Sequence, residues 1–313
     1  MKNLDILCMA KQNIKKKFVF LGDVNSINIE LIIKSFNFLK KKVNYILICN
    51  KDDISNNSFF RATNLKINEI LDPINFTNYK EDKLNIFNIN DLNERKYLNL
   101  LNQIKISNDL ANITNFDLIT MPIDKSVFKK KIKFIGMTEY LGSLNNKDTI
   151  MLMHGEKFSV IPFTTHINLK NIHKYIKLKK LDFFLKNIFD NINKSLYGLR
   201  FNEIKYLCYN PHCSEDGLLG NEDLIIKNAI YKNLNIKGPF PADSAFNKIK
   251  KGTLYISSYH DQVLIPFKIL NKKSINLTLG LNYRRLSPSH GTAVDIKNKY
   301  LADNTSYLKC LLF

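Results

Sequence analysis

The feature that most constrains this chain is the alternation with which it opens. Residues 17–21 (Lys17-Phe18-Val19-Phe20-Leu21) make a short apolar run, and Gly22-Asp23 supplies a turn. Residues 27–41 then carry Ile27, Leu31, Ile32, Phe36 and Leu39 at helical spacing. A second run, almost wholly apolar, follows at 43–49. A strand, a helix and a strand in this order form a βαβ unit. Such a unit requires a parallel sheet with helices on its faces. The 313 residues suffice for two α/β layers of ordinary domain size or one large domain.

The same alternation returns further along. A helix over 98–111 precedes a strand at 116–120, while the polar, Asn-rich stretch 51–98 reads as short strands and loops. Gly136-Met137-Thr138-Glu139 opens another helix, with Thr138 as its N-cap, and a helix N-terminus favours a bound anion. Strands at 159–163, 206–209 and 254–259 follow, with helices at 174–194 and 222–232. Each of these three strands ends near a histidine: His166, His212 and His260. Open α/β sheets bind ligands beyond the carboxyl ends of their strands, so the three imidazoles are candidates to converge on one edge. Three histidines with an open fourth position make a catalytic metal arrangement that suits several divalent ions. Asp261 is placed to orient a neighbouring ligand. His154 and His173 read as bland, and His290 as intermediate. Cys213 beside His212 reads as a rival ligand or as a small buried thiol.

Lys268 follows the His260 strand, and an apolar run at 275–281 ends near Arg284 and Arg285. With Asn276, Lys268 and Arg285 suit an anionic substrate such as a phosphate ester. No G-x-G-x-x-G, P-loop or G-x-S-x-G occurs, which removes the usual dinucleotide fingerprint and the hydrolase elbow from consideration.

Charge raises one competing class. The formal net charge of +19 invites a nucleic-acid or membrane partner. Yet lysine supplies 42 of the 47 basic residues, and asparagine numbers 41. Lys and Asn share A/T-rich codons, so base composition accounts for the skew. Arginine, the better bidentate reader of phosphate, appears five times. The expectation is no nucleic-acid and no membrane partner. The five cysteines form no C-x-x-C pair, which suits free thiols in a reducing compartment. No apolar run approaches the roughly 18 residues that span a bilayer, and Ile6-Leu7-Cys8 is too short for a secretory signal core. The expected location is the cytoplasm. Residues 1–16 read as an untidy leader, with Met9 an alternative start.

Eight phrases together resemble one known family. They are residues 119–125, 136–139, 164–166, 210–212, 238–244, 259–262, 276–281 and 290–293, in the family's order and spacing. The chain is similar over residues 18–297 to the 4-hydroxythreonine-4-phosphate dehydrogenases of vitamin B6 biosynthesis. The resemblance implies two α/β/α domains with a cleft between them, like isocitrate and isopropylmalate dehydrogenases. The first domain would comprise residues 1–135 with 287–313, and the second residues 136–286. It implies one divalent metal (Zn, Mg or Co) on His166, His212 and His260, with Asp243 and Asp261 as supporting carboxylates. It implies substrate contacts at Met137, Thr138, Lys268, Asn276 and Arg285. NAD or NADP is the implied cofactor, with its contact residues unassigned. A homodimer with the site at the subunit interface is also implied.

The implied reaction oxidises 4-phosphooxy-L-threonine to a 3-oxo acid that loses CO2. The alternatives are another phosphorylated hydroxy acid as substrate, or a catalytically impaired homologue with a binding role. The chain departs from the family in its first loop, where G-D-P-A-G-I-G-P-E becomes the sequence from Gly22 to Glu30. It also has Met137 for histidine, Val263 for glycine and Ser289 for an acid.

Overall fold

The computed structural model describes residues 15–92, 94–233 and 235–313. Met9, Ile6, Leu7 and Cys8 lie outside the described residues. The chain begins β1 (Lys16–Phe20), α1 (Asn28–Leu39), β2 (Asn44–Cys49), the βαβ unit its apolar spacing dictates. It continues α2 (Lys51–Ser55), α3 (Ser58–Arg61), β3 (Ile67–Glu69), β4 (Leu84–Asn88), α4 (Lys96–Thr114) and β5 (Asp117–Thr120). Then come α5 (Met137–Leu144), β6 (Ile150–Gly155), β7 (Phe158–Thr164), α6 (Leu178–Ile192), β8 (Glu203–Leu207), α7 (Glu222–Tyr231) and β9 (Ile236–Phe240). The last elements are β10 (Thr253–Tyr259), α8 (His260–Leu270), β11 (Ser274–Leu279), β12 (Arg285–Pro288) and α9 (Thr305–Leu312).

All these strands join one sheet, in the order β3-β4-β2-β1-β5-β12-β11-β6-β7-β10-β8-β9. From β3 to β12 the neighbours are parallel. The β12–β11, β11–β6 and β6–β7 pairs are antiparallel, and β7 to β9 is parallel again. Strands from the first 120 residues, with β12, therefore form one end of the sheet, and strands from 150–279 form the other. Phe18, Val19 and Phe20 of β1 are wholly buried. A strand covered by helices on both faces needs such a continuous apolar run.

Register in the antiparallel strip builds a floor. Arg285 lies opposite Thr278, which lies opposite Met151; Ser287 lies opposite Asn276, which lies opposite Met153. Residues two apart on a strand share a face, so these six side chains tile one side of the sheet.

Some local expectations change. The N-cap of α5 is Gly136, and Thr138 sits inside the first turn, where its hydroxyl serves another partner. The helix expected over 174–194 is a 3-10 segment, Leu169–Tyr175, followed by α6. Stretch 51–98 contains two short helices capped by the side chains of Asn50 and Asn57.

One buried charge cluster ties β1 to β5 and to the entry of β12. Lys17, fully buried, reaches Asp117 at 2.8 Å, and Arg284 grips the same carboxylate at 2.9 and 2.6 Å. Burial alone would push the Asp117 carboxyl up, but the Arg284 and Lys17 partners hold it below the usual range. Replacing Asp117 by alanine leaves two cations without a counter-charge. We expect a loss of about 3–5 kcal/mol in urea denaturation. Because the native pKa is depressed, the stabilisation is complete above about pH 4 and is lost as pH falls through the native value. The Asp117→Ala variant should lack that acid-dependent portion of the stability curve.

Candidate active site

A cavity of about 350 Å³ lies over the sheet floor, bounded by the 120–123 segment, the start of α5, α8 and the 287–291 segment. Its floor carries Arg285, Asn276, Met151 and Met153, and Met121 and Met137 add two further thioethers to its wall.

Arg285 is 3% exposed. Its Nε and Nη2 donate to Thr120 Oγ1 at 2.9 and 2.5 Å, and its Nη1 donates to Thr278 Oγ1 at 3.0 Å and Thr138 Oγ1 at 3.4 Å. Among the described residues no carboxylate forms an ion pair with Arg285 or with Lys268, which lies in the last turn of α8 and lines the same cavity. Burial pulls the Arg285 guanidinium down to about 10, which leaves it charged at neutral pH. A buried cation held, among the described residues, by the neutral hydroxyls of three threonines is an electrostatic vacancy for an anion.

The opposite wall carries His166 and His260, with ring centroids 6.0 Å apart. Each has a carboxylate at Nδ1. Asp261 Oδ1 lies 2.6 Å from that of His260, and Glu139 Oε1 lies 3.3 Å from that of His166. Thr165 Oγ1 donates to the same Glu139 oxygen at 2.9 Å. Burial alone would raise the Glu139 carboxyl, but the bonds from His166 and Thr165 bring it down to about 2.

His212 is not with them. It lies in the 3-10 segment Pro211–Gly217, exposed, in a run of five residues (212–216) with positive φ, and it does not line the cavity. Asp243 is exposed in the segment after β9, accepts from the Ser244 N–H, and is also outside the cavity. Among the described residues no group of three or more His, Cys, Asp or Glu side chains is placed to hold a metal ion. His166 and His260 fit two positions of a metal site, since carboxylates occupy Nδ1 and leave Nε2 without a hydrogen bond. Among the described residues no third such side chain joins them.

Among the described residues that line this cavity, Glu139 Oε2, Asn276 Oδ1 and His290 Nε2 are buried acceptors without a partner. His290 Nδ1 lies 2.8 Å from the Gly291 carbonyl. That nitrogen therefore carries the proton, and burial lowers the pKa of the ring. Unsatisfied buried acceptors cost about 1–3 kcal/mol each, which a ligand bearing donors relieves.

Met137, Thr138, Lys268, Asn276, Arg285, His166 and His260 thus come together, whereas His212 and Asp243 do not. Sequence reading missed Thr120, Thr278 and the role of Glu139. Thr278 carried a signal, being two residues from Asn276 on one strand face.

The altered first loop is held by side chains. Asn28 Nδ2 donates to the carbonyls of Leu21, Asp23 and Pro122 at 2.9, 3.3 and 2.8 Å. The retained Gly22 has φ +75, and a Cβ there would meet the Pro122 oxygen at 2.4 Å. This packing supports the Met121-Pro122-Ile123 wall.

A family profile described as "Pyridoxal phosphate biosynthetic protein PdxA" matches residues 31–313. The 4-hydroxythreonine-4-phosphate dehydrogenase of Sulfurihydrogenibium sp. is 30% identical over 313 residues, covering 95% of this chain and 96% of that protein. The enzyme of the same name from Aquifex aeolicus is 32% identical over 327 residues, with 95% and 96% covered. The crystal structure of 4-hydroxythreonine-4-phosphate dehydrogenase from Klebsiella pneumoniae superposes with a TM-score of 0.78 at 23% identity, over 95% of this chain and 97% of that one. That likeness shows a shared fold.

The anion vacancy has a measurable consequence. Inorganic phosphate should raise the melting temperature of the wild-type protein in a concentration-dependent way. Arg285→Met should remove most of that shift, leaving only what Lys268 provides, while melting, without phosphate, at or above the wild-type temperature, because an unpaired buried charge has been removed.

Proposed function

The chain belongs to the 4-hydroxythreonine-4-phosphate dehydrogenase family, and on that premise we propose how its residues carry out the reaction. The substrate is 4-phosphooxy-L-threonine. Its secondary alcohol is oxidised to give 2-amino-3-oxo-4-(phosphooxy)butanoate, which loses CO2 to leave 3-amino-2-oxopropyl phosphate, a precursor for pyridoxal phosphate. The observation that carries the reading is Arg285, buried on three threonine hydroxyls with no carboxylate, in one cavity with two carboxylate-held imidazoles.

When bound, a divalent metal (Zn, Mg or Co) supplies Lewis acidity at the substrate oxygen, and NAD or NADP supplies the hydride acceptor. The chain's residues do the rest. Arg285 and Lys268 take the phosphate and so fix the position of the carbon skeleton. The Thr138 hydroxyl completes the cage around Arg285. Asn276 Oδ1 and Glu139 Oε2 stand as acceptors for donors on the substrate. Leu264 and the four methionines form an apolar lining across floor and wall that keeps water from the reacting carbon.

His166 and His260 would hold the metal. The working unit in this reading is a homodimer with the site at the subunit interface, where the third imidazole is the partner subunit's His212. Ile265 and Ile269, one turn apart and exposed on the helix that bears His260, support a covered face there, as do exposed Leu218 and Leu219 beside the His212 segment. Free Cys49, Cys208, Cys213 and Cys310 suit the cytoplasm, and no helix among the described residues is long and apolar enough to cross a membrane. Because Arg285 and Lys268 read the phosphate alone, a different phosphorylated hydroxy acid is the second reading.

The test is NADH formation by mixed dimers. His212→Ala and His260→Ala homodimers should both be inactive with 4-phosphooxy-L-threonine. A hybrid of the two chains keeps one complete ligand set if His212 is donated across the interface, and should recover about half the wild-type rate. A hybrid as inactive as its parents would refute the shared site. No NADH from metal-loaded wild type would refute the substrate and turn attention to other phosphorylated hydroxy acids.

A further inference from the structure

Gly136 presents a problem that its own backbone does not explain. Its φ of −170 and ψ of 167 are extended, a conformation open to any residue. Glycine is therefore not needed there for backbone freedom. It is needed for space: a Cβ at 136 would meet Glu139 Oε2 at 2.6 Å and His166 Cε1 at 3.3 Å. The N-cap of α5 has been cleared to let a carboxylate and an imidazole lie side by side.

The carboxylate is tightly specified. Glu139 sits in the first turn of α5, where the helix dipole favours an anion. Its Oε1 receives Thr165 Oγ1 and faces His166 Nδ1. Its Oε2 is buried at the cavity wall, without a partner, against Gly136. An ionised carboxylate can only accept, so the nitrogen facing it must donate. That fixes the proton of neutral His166 on Nδ1 and leaves the Nε2 lone pair free. His260 receives the same service from Asp261, its sequence neighbour. For His166 the carboxylate comes from a different element, 27 residues away, through the clearance at Gly136.

We propose that Gly136, Glu139 and Thr165 form one positioning device that sets the tautomer and the ring orientation of His166. Thr165 orients the carboxylate, Glu139 orients the ring, and Gly136 leaves room for both. The oxygen that faces His166 is Glu139 Oε1, so the device works whatever Oε2 accepts from the substrate. The inference rests on the reading of His166 as a metal ligand, but its first readout does not require a metal.

The experiment uses the metal-free dimer at a pH where His166 is neutral. Nitrogen-15 NMR, assigned with a His166→Gln variant, reports which ring nitrogen carries the proton. Wild type should show the Nδ1–H form of His166. Glu139→Ala should shift it toward the Nε2–H form that free imidazole favours. Gly136→Ala should do the same, because the added methyl displaces the far end of a flexible side chain rather than backbone. Both variants should keep the wild-type melting temperature within a few degrees and bind Zn about 10–100-fold more weakly by calorimetry.

If His166→Gln itself leaves Zn affinity unchanged, the metal-ligand reading fails. If His166→Gln abolishes binding while Glu139→Ala and Gly136→Ala leave tautomer and affinity at wild-type values, the positioning device is refuted. Loss of folding in Glu139→Ala leaves Gly136→Ala as the deciding variant, since its clash is confined to side-chain atoms of Glu139 and His166.

Discussion

The site depends on a guanidinium that has been buried and left without a counter-ion. Arg284 and Arg285 are adjacent, both buried, and chemically identical. Successive residues of an extended strand face opposite sides of the sheet, and that geometry separates their fates. Arg284 meets Asp117 bidentately and, with Lys17, ties β1 and β5 to the entry of β12. Arg285 meets Thr120, Thr138 and Thr278, three groups that orient a charge without neutralising it. The first arrangement stabilises the sheet. The second costs stability, because desolvation is not repaid until an anion arrives. The floor tiles, the α5 N-terminus and Lys268 on α8 are all positioned relative to that one charge.

Sequence pattern was a good guide where strands were buried on both faces. The runs at 17–21 and 43–49 carry their assignment in composition alone, and β1 and β2 lie there. In 51–98 the short strands and loops are there, but the pattern does not show the two short helices, because the elements are short and held by local side-chain bonds. Asn85 bonds to Lys80 and Lys83, and Asn68 bonds to Asn78. Such contacts leave no periodicity to read. The helix expected over 174–194 is interrupted because apolar spacing continues through a 3-10 turn that a hydrophobic pattern does not distinguish. At the site, histidines at three strand ends were legible, but their convergence was not. β7 and β10 are neighbours and bring His166 and His260 together, whereas the segment after β8 turns through five left-handed residues and carries His212 away. Thr120, Thr278 and Glu139 were unreadable as a set, since only strand register and helix entry bring them to one point.

The departures from the family pattern have physical substitutes in this chain. The first loop lacks the later glycines and prolines that the resemblance implies, and Asn28 and Ser26 supply side-chain bonds to its backbone. Ser289, where the resemblance implies an acid, bonds to Ser274 and Ser306 in a hydroxyl cluster. Asparagine is abundant here and does structural duty at caps and turns, consistent with a composition set by codon bias and then used. Met137 is different. Where the resemblance implies a histidine, it presents an adaptable apolar side chain, and it joins Met121, Met151 and Met153 around the cavity. Among the described residues that line the cavity, the unpaired acceptors belong to Glu139, Asn276 and His290.

The most direct measurement is the energetic coupling between Arg285 and the substrate phosphate. It compares kcat/KM for 4-phosphooxy-L-threonine and 4-hydroxy-L-threonine in wild type and in Arg285→Met. If Arg285 is the anion vacancy of the site, removing the phosphate should cost wild type at least about a hundredfold and should cost the variant much less, since only Lys268 then remains to meet it. If the phosphate contributes as much to the variant as to wild type, Arg285 does not read it, and the account of this cavity is wrong.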